Sequence, residues 1–272
     1  MAGETQTTAA AWRGLLEPLR AQPGKTAILT DFDGTLAPIV ERADEVALPA
    51  DARGVLLRLV DRYAMVGAIS GRRAADVRDR MGLDGVAYAG NHGLELMMPG
   101  ESGPRPDPSV GGREGEAAAF MAALEAARLD DAGLRLEDKG PIQALHWRGA
   151  EDEARAEAVA REIGVEGGRA GLEPHWGRKV LELRPVGGGG KGAAVASILA
   201  EDGVDRVVYA GDDRTDVDAF RRLAELRDAG ELVVAVRVGV LSAEGPPEVA
   251  EEADVTVQGP AGWLEILDWL AE

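Results

Sequence analysis

The stretch Ala27–Val40 reads AILTDFDGTLAPIV and decides the fold. Its first four residues form an apolar run that predicts a buried strand, and two carboxylates, Asp31 and Asp33, follow directly. Gly34 and Thr35 then offer a sharp turn whose main-chain N–H groups can face an anion. Ligands of open α/β sheets lie at the carboxyl ends of strands, so this segment predicts a binding site. Taken alone, it also fits an ordinary Asp-Gly turn after a buried strand.

Strands and helices alternate on both sides of this stretch. The pattern predicts helix Asp51–Arg62, strand Met65–Ile69, helix Ala74–Met81 and strand Val86–Ala89, and later helix Gly192–Ala200, strand Arg206–Ala210, helix Asp216–Leu226 and strand Leu232–Val238. An alternation with short connections is typical of an α/β protein. We therefore expect one doubly wound parallel sheet with helices on both faces.

Two segments rich in proline and glycine, Met98–Gly112 and Pro185–Gly190, interrupt this alternation and predict linkers. Between them we expect an inserted α/β cap of roughly 80 residues. The core would then comprise residues 1–106 and 186–272, and the cap residues 107–185. Within the cap the pattern predicts helix Glu114–Arg128, strands Leu134–Asp138 and Ile142–Arg148, helix Asp152–Ile163 ended by Gly164, and strands near Arg169–Glu173 and Val180–Arg184.

The composition limits the partners. Thirty basic and 48 acidic residues give a net charge of −18, which repels nucleic acid and anionic membranes. The chain has no cysteine, so disulfides and cysteine-ligated metals are excluded. The N-terminus lacks a signal-peptide pattern, and no run of about 18 apolar residues occurs. We expect a cytoplasmic monomer that binds no nucleic acid or membrane and captures any anionic substrate in a local positive pocket.

A second acidic cluster, GDDRTD at residues 211–216, follows the strand predicted to end at Ala210. Mg²⁺ prefers oxygen ligands, usually one or two carboxylates with water and substrate phosphate. Asp31, the main-chain carbonyl of Asp33 and Asp212 could supply them. Capping of the next helix by Thr215 or Asp216 is the alternative, and capping by one residue does not exclude metal binding by another. The predicted metal set is Asp31, Asp33, Asp212 and Asp213, and the sequence does not decide whether Asp213 or Asp216 contacts the ion.

Two smaller features lie at further strand or helix ends. Ser70–Arg72 (SGR) offers a hydroxyl and N–H groups to a phosphate oxygen, and Lys191 begins a helix after a run of glycines. Either feature alone is more often structural. Together with the two acidic segments they favour phosphoryl transfer, in which Asp31 attacks phosphorus and Asp33 protonates the departing alkoxide and later activates water.

The segments DFDGT, SGR, Lys191 and GDDRTD resemble, in order, the four motifs of the haloacid dehalogenase (HAD) superfamily. The resemblance spans the predicted core. It implies that Asp31 accepts the phosphoryl group and Asp33 is the acid and base. It also implies that Ser70 and Lys191 hold phosphate oxygens and that Asp212 binds Mg²⁺.

Finer segments resemble the trehalose-6-phosphate phosphatase family: GNHGLE at Gly90–Glu95, EDKG and ALHWR within Glu137–Arg148, and GRKVLELRP at Gly177–Pro185. This resemblance implies Mg²⁺-dependent hydrolysis of trehalose 6-phosphate, a small sugar phosphate. The substrate-binding residues implied by both resemblances are Gly34, Thr35, Gly71, Arg72, Asn91, His92, Glu95, Lys139, Arg148, Arg178 and Glu182.

Three departures from that family's usual pattern concern the substrate more than the reaction. Arg178 stands where lysine is expected, Trp147 where tyrosine is common, and Val217 where an acidic residue is frequent. A HAD phosphatase for another ester, such as sucrose 6-phosphate, glucosylglycerol phosphate or an aminocyclitol phosphate, is therefore an alternative. A catalytically silent regulatory domain is a further one. Such a domain often lacks the nucleophile or metal carboxylates, all of which are present here.

Overall fold

The structure is a computed structural model that describes residues 7–40, 45–177, 179–187, 189–200, 203–243 and 245–272. It divides into two compact units, a core and a cap. The core comprises Met1–Arg105 and Gly189–Glu272, and the cap comprises Pro106–Gly188.

Elements are numbered along the whole chain. The strands are β1 (Thr26–Thr30), β2 (Met65–Ile69), β3 (Ala87–Gly90), β4 (Glu95–Met97), β5 (Arg105–Pro106), β6 (Arg135–Asp138), β7 (Gln143–His146), β8 (Leu172–Gly177), β9 (Val180–Pro185), β10 (Arg206–Gly211), β11 (Val234–Leu241) and β12 (Val255–Gln258). The helices are α1 (Ala9–Arg20), α2 (Ala50–Arg62), α3 (Ala74–Met81), α4 (Glu116–Ala123), α5 (Ala126–Ala132), α6 (Glu153–Arg169), α7 (Lys191–Leu199), α8 (Arg214–Asp228), α9 (Pro247–Glu252) and α10 (Gly259–Ala271).

The larger sheet has the strand order β12-β11-β10-β1-β2-β3-β4-β5. Pairing is parallel from β12 to β3, and β4 runs antiparallel to β3. The predicted α/β fold with a parallel sheet is confirmed. Because β1 lies between β2 and β10, the turns that follow these three strands meet at one edge of the sheet.

Strand β1 is buried on both faces, as its continuous apolar run predicts. Ile28 belongs to an apolar cluster with Trp263 of α10. Leu29, which points the opposite way, belongs to a second cluster with Phe220 of α8. Helices therefore cover both faces of the strand. The sequence pattern did not assign α1, α9, α10 or β12.

The cap has an antiparallel sheet in the order β6-β7-β9-β8. The predicted end of a helix at Gly164 is wrong, because α6 continues to Arg169. A Cβ at Gly164 would lie 2.8 Å from Trp176, and one at Gly167 would lie 2.9 Å from Leu183. These glycines let the helix approach the sheet closely and do not terminate it. The strand predicted near Arg169–Glu173 accordingly begins only at Leu172.

The helix predicted over Glu114–Arg128 is also interrupted. Leu124 and Glu125 have extended backbone conformations, with ψ of 147° and 119°, and separate α4 from α5. No proline or glycine marks the break, so the sequence pattern continued through it. Buried Met121 and Leu129, on either side of the break, both join the apolar cluster of the cap.

Candidate active site

The turn after β1 brings the first motif against the acidic cluster. The N–H of Asp31 donates to the carbonyl of Ala210 over 2.8 Å. Gly34 has φ of +89°, and a Cβ there would lie 2.2 Å from Oδ2 of Asp212. Only glycine tolerates both this backbone conformation and this close approach. The DFDGT and GDDRTD motifs, which belong to distant parts of the chain, are therefore neighbours.

Lys191 lies at the centre of a buried ionic cluster. Its Nζ atom is 2.7 Å from Oδ1 of Asp31 and 2.8 Å from Oδ1 of Asp216. It is also 3.8 Å from Oδ1 of Asp213. The side chain of Lys191 is 2% exposed and that of Asp31 is 5% exposed, so water screens this ion pair weakly.

Hydrogen bonds of the two glycines that flank Lys191 fix its position at the start of α7. The N–H of Gly190 donates to the carbonyl of His92 over 2.6 Å. The N–H of Gly192 donates to Oδ2 of Asp218 over 2.8 Å. Asp218 satisfies one of the N–H groups that a helix start leaves without an intrahelical partner. The sequence motifs did not single out Asp218.

Asp216 is fully buried, and four donors satisfy its carboxylate. Oδ1 accepts hydrogen bonds from Lys191 and from the hydroxyl of Tyr209. Oδ2 accepts from the N–H groups of Asp212 and Asp213, each over 3.0 Å. Both oxygens thus already have two partners. Asp216 acts as the anchor for Lys191, a role that its place in the sequence did not reveal.

Asp213 caps helix α8. Its Oδ1 accepts from the N–H and hydroxyl of Thr215 and from the N–H of Asp216. Burial acts to raise the pKa of Asp213, but Lys191 and the bonds from Thr215 outweigh it and lower that pKa to about 2. The sequence analysis named Thr215 or Asp216 as the cap, and this is wrong, because the N-cap is Asp213. Asp213 remains a charged neighbour of Lys191.

Burial disfavours the charged forms of the other two carboxylates, Asp31 and Asp212. Burial raises the pKa of Asp31 well above its usual range, although Lys191 opposes this. Burial also raises the pKa of Asp212 to about 6, against a hydrogen bond from Thr35. Burial acts to lower the pKa of Lys191, but Asp216 and Asp31 outweigh it and raise that pKa, so the ammonium stays charged.

The acidic cluster could hold a metal ion. One oxygen from each of Asp31, Asp212 and Asp216 lies within 4.8 Å of the others. Carboxylate oxygens suit a hard divalent cation. Among the described residues, no group donates to Oδ2 of Asp31 or Oδ2 of Asp212, whereas the oxygens of Asp216 are occupied. Asp31 and Asp212 are therefore the carboxylates available to a cation.

The SGR turn is bonded to the turn that follows β3. The N–H of His92 donates to the carbonyl of Ser70, and the N–H of Asn91 donates to the carbonyl of Arg72. The buried Ser70 hydroxyl accepts from the N–H of Arg72 over 3.1 Å. A Cβ at Gly71 would lie 2.7 Å from the His92 ring. These two predicted substrate-binding segments form one hydrogen-bonded unit.

The turn after β3 has a strained backbone, and Glu95, the first residue of β4, binds the start of α3. Asn91 and His92 have φ of 52° and 56°, a left-handed conformation that side chains other than glycine seldom adopt. Oε1 of Glu95 accepts from the N–H of Ala74 at the start of α3 over 2.6 Å. Burial raises the pKa of Glu95. Glu95 therefore supports α3, whatever else it binds.

Two further predicted substrate-binding residues bond to carboxylates. The hydroxyl of Thr35 donates to Oδ1 of Asp212 over 2.8 Å. The guanidinium of Arg72 lies on the carboxylate of Asp33, with Nε 2.7 Å from Oδ2 and Nη2 2.8 Å from Oδ1. Both residues organise the acidic groups of the site.

In the cap, Lys139 and Glu182 form an ionic cluster that includes Arg184. Oε1 of Glu182 is 2.8 Å from Lys139, and Oε2 is 2.6 Å from Arg184. Burial acts to raise the pKa of Glu182, but these two cations outweigh it and lower that pKa to about 2. Arg148 is exposed, and Arg178 lies outside the described residues. The sequence analysis did not anticipate Arg184 as a partner of Glu182.

The model of the trehalose-phosphatase family matches residues 29–259. The chain belongs to this family. A trehalose-phosphate phosphatase from Mycobacterium avium is 37% identical over 204 residues, covering 71% of this chain and 50% of that protein. An uncharacterized glycosyl hydrolase from Mycobacterium tuberculosis is 38% identical over 203 residues, covering 72% of this chain and 15% of that protein.

The fold is shared with a solved member of the family. The C-terminal domain of trehalose-6-phosphate phosphatase from C. albicans has a TM-score of 0.74 at 22% identity, covering 98% of this chain and 99% of that chain. A haloacid dehalogenase-like hydrolase from Bacteroides thetaiotaomicron also shares the fold, with a TM-score of 0.63 at 14% identity, covering 90% of this chain and 99% of that chain. The chain spans about half the length, or less, of the mycobacterial relatives. In the described parts of the chain, no helix is long and apolar enough to cross a membrane.

Proposed function

We propose that this protein is a magnesium-dependent phosphatase that hydrolyses trehalose 6-phosphate to trehalose and phosphate. The contact of Lys191 with Asp31, 2.7 Å long and almost inaccessible to water, carries the proposal. It gives a buried carboxylate at the end of a central strand a permanent counter-charge. Such a carboxylate can act as a nucleophile. Membership in the trehalose-phosphatase family supports the substrate.

In the first step, an oxygen of Asp31 attacks phosphorus, and the bond from phosphorus to the sugar oxygen breaks. The departing alkoxide needs a proton, which Asp33 would donate. Asp33 follows Asp31 by two residues, and its side chain is one third exposed, so it can reach a bound ester. The products of this step are the free sugar and a phosphoryl group on Asp31.

In the second step, Asp33 takes a proton from water while the water oxygen attacks phosphorus. The bond between phosphorus and Asp31 then breaks, which releases phosphate and restores the carboxylate. Lys191 stays within hydrogen-bond distance of Asp31 and would oppose negative charge in both steps.

Magnesium fits the chemistry of this site. Four carboxylates, Asp31, Asp212, Asp213 and Asp216, surround one ammonium, and a phosphate ester would add further negative charge. A bound Mg²⁺ would neutralise that charge and polarise the phosphoryl group. We assign it to Asp31, the main-chain carbonyl of Asp33, and Asp212. Asp213 caps α8 through Oδ1 and is not one of the three carboxylates whose oxygens lie together, so we expect it to act through its charge.

Sugar recognition by Lys139, Arg148, Arg178 and Glu182 is part of this proposal, as are Asn91, His92 and Glu95 from the core. Another sugar phosphate is the nearest alternative substrate. A silent regulatory domain is disfavoured because Asp31, Lys191 and Asp212 are all in place within one buried cluster. Monomeric state and cytoplasmic location remain predictions.

A phosphate-release panel tests the proposal. Purified protein is given trehalose 6-phosphate, sucrose 6-phosphate, glucosylglycerol phosphate and glucose 6-phosphate, with Mg²⁺ or with excess chelator. The Asp31→Asn variant, purified in parallel, controls for contaminating phosphatases. We expect the highest kcat/KM on trehalose 6-phosphate, and only with Mg²⁺. A clear preference for another ester would refute trehalose 6-phosphate as the substrate, and full activity in chelator would refute the metal requirement.

A further inference from the structure

Arg72 engages Asp33 with two parallel hydrogen bonds. Nε is 2.7 Å from Oδ2 of Asp33, and Nη2 is 2.8 Å from Oδ1. The side chain of Arg72 is 15% exposed and that of Asp33 is 33% exposed. A two-point contact between a planar guanidinium and a planar carboxylate fixes their relative orientation as well as their distance.

The third nitrogen of the guanidinium also donates to a carboxylate. Nη1 of Arg72 lies 3.2 Å from Oδ2 of Asp76, one turn further along the chain in α3. Arg80 in turn donates from Nε to both oxygens of Asp76, over 2.9 Å each. Burial acts to raise the pKa of Asp76, but Arg80 and Arg72 outweigh it and keep this carboxylate ionised. Asp76 therefore fixes the guanidinium of Arg72 on the side away from Asp33.

This arrangement differs from a phosphate-binding site. An arginine that binds phosphate presents its fork of N–H groups to the ligand. Here Asp33 takes the fork formed by Nε and Nη2 of Arg72, and Asp76 takes one N–H of Nη1. The fork that would bind a phosphate two-point is therefore engaged by the protein, and one N–H remains on each terminal nitrogen. The buried Ser70 hydroxyl accepts from the main-chain N–H of Arg72, so the backbone of the residue is fixed as well.

The carboxylate of Asp33 has reason to need such support. Asp33 precedes Gly34, whose backbone is left-handed, and the side-chain torsion that sets the plane of an aspartate carboxyl group is soft. Proton transfer to a departing alkoxide requires the carboxyl oxygen to be within hydrogen-bond reach and correctly directed. We propose that Arg72 is a positioning residue for Asp33 and not a ligand of the substrate phosphate. This inference rests on the proposed role of Asp33 as acid and base.

The two roles of Arg72 predict different kinetics in the Arg72→Gln variant. The value of kcat/KM reports the steps up to departure of the leaving group, which Asp33 assists only when that group needs a proton. We expect kcat/KM for trehalose 6-phosphate to fall about ten- to a hundredfold, part of the factor that general acid catalysis contributes. For p-nitrophenyl phosphate we expect a change below about threefold, because its leaving group needs no proton. Inhibition by inorganic phosphate should be unchanged.

Three further variants sharpen the test. Arg72→Lys keeps the charge but not the fork, so it should behave like Arg72→Gln. Adding Arg72→Gln to Asp33→Asn should cause no further loss, because both changes disable the same proton transfer. Arg237→Gln is the matched control. Arg237 makes the same two-point contact with Asp254, at 2.9 and 2.7 Å, and is 17% exposed. Within the described part of the chain, it forms no hydrogen bond or ion pair with a residue assigned to the site. Its kinetics should be those of the wild type.

Equal losses on both esters with weaker inhibition by phosphate would show that Arg72 binds phosphate and would overturn the proposal. Wild-type activity of Arg72→Lys, or a multiplicative loss in the double variant, would overturn it too. Failure of the proposed function would look different, since the wild-type protein itself would then not hydrolyse trehalose 6-phosphate. The same comparison on the alkyl phosphate that it does hydrolyse would then test Arg72.

Discussion

The substitution Lys191→Met tests whether the buried cluster is held together by charge. It keeps the length of the side chain but removes the ammonium that lies 2.7 Å from Asp31 and 2.8 Å from Asp216. Removing one partner of a buried ion pair costs about 3–5 kcal/mol, because the remaining charge is left uncompensated. We expect the free energy of unfolding to fall by this amount, measured by urea denaturation in the presence of chelator.

An exposed ion pair provides the control. Nζ of Lys179 lies 2.5 Å from Glu153, but the two side chains are 40% and 37% exposed. Lys179→Met should therefore cost much less than Lys191→Met. If Lys191→Met cost no more than this control, the buried carboxylates would not carry the charge that we assign to them.

The pH dependence of the Lys191→Met defect follows from the sign of the pKa shifts. Burial raises the pKa of Asp31 above its unfolded value, and Lys191 is the cation that opposes this. A group with a raised pKa in the folded state stabilises the fold at low pH and loses that contribution as pH rises. The deficit should therefore shrink as pH falls and Asp31 takes up a proton. Added Mg²⁺ should also reduce it. A deficit unaffected by pH would contradict this origin.

Three other perturbations have defined outcomes. Asp31→Asn should lower turnover to below about a hundredth of the wild-type rate without lowering the melting temperature, and a faster variant would remove Asp31 as nucleophile. Gly34→Ala should cost activity and weaken the response to Mg²⁺, because its Cβ would meet Asp212 at 2.2 Å, whereas Gly24→Ala, with open space around it, should change neither. Burial raises the pKa of Asp212 to about 6, so the affinity for Mg²⁺ should fall as pH drops below that value. Thermal-shift titrations at pH 5 and pH 7.5 would measure this fall, and equal affinities would exclude Asp212 as a ligand.

Much of the core could be predicted because its signals are local. The apolar run before Asp31 predicts a strand buried on both faces, and the Asp-Gly pair predicts the turn that Gly34 makes. The alternation of strands and helices predicts a parallel sheet, which brings the motif-bearing turns to one edge. Proximity of the DFDGT and GDDRTD motifs therefore followed from the pattern.

The roles of individual polar side chains could not be predicted in this way. Asp212, Asp213 and Asp216 are the same residue type within five positions, and only their hydrogen bonds distinguish the candidate metal ligand from the cap and the anchor. The contact of Arg72 with Asp33 joins the turns that follow β1 and β2, and Asp76 also holds the guanidinium. A local sequence pattern does not reveal such a contact. Gly164 was misinterpreted because glycine ends many helices, whereas here it accommodates Trp176.

The division of the core into two chain segments around the cap has a consequence for folding. Asp31 and Lys191 are separated by 160 positions, and β1 pairs with β10 across the whole insertion. Such distant parallel pairing forms slowly, because a long loop must close before any contact rewards it. While the chain is synthesised, β1 has its β2 neighbour but lacks β10, and its free edge is open to pairing with other chains. A chain cut short before β10 would keep this edge of β1 exposed and would be prone to aggregate. Pairing of β10 with β1 covers the edge.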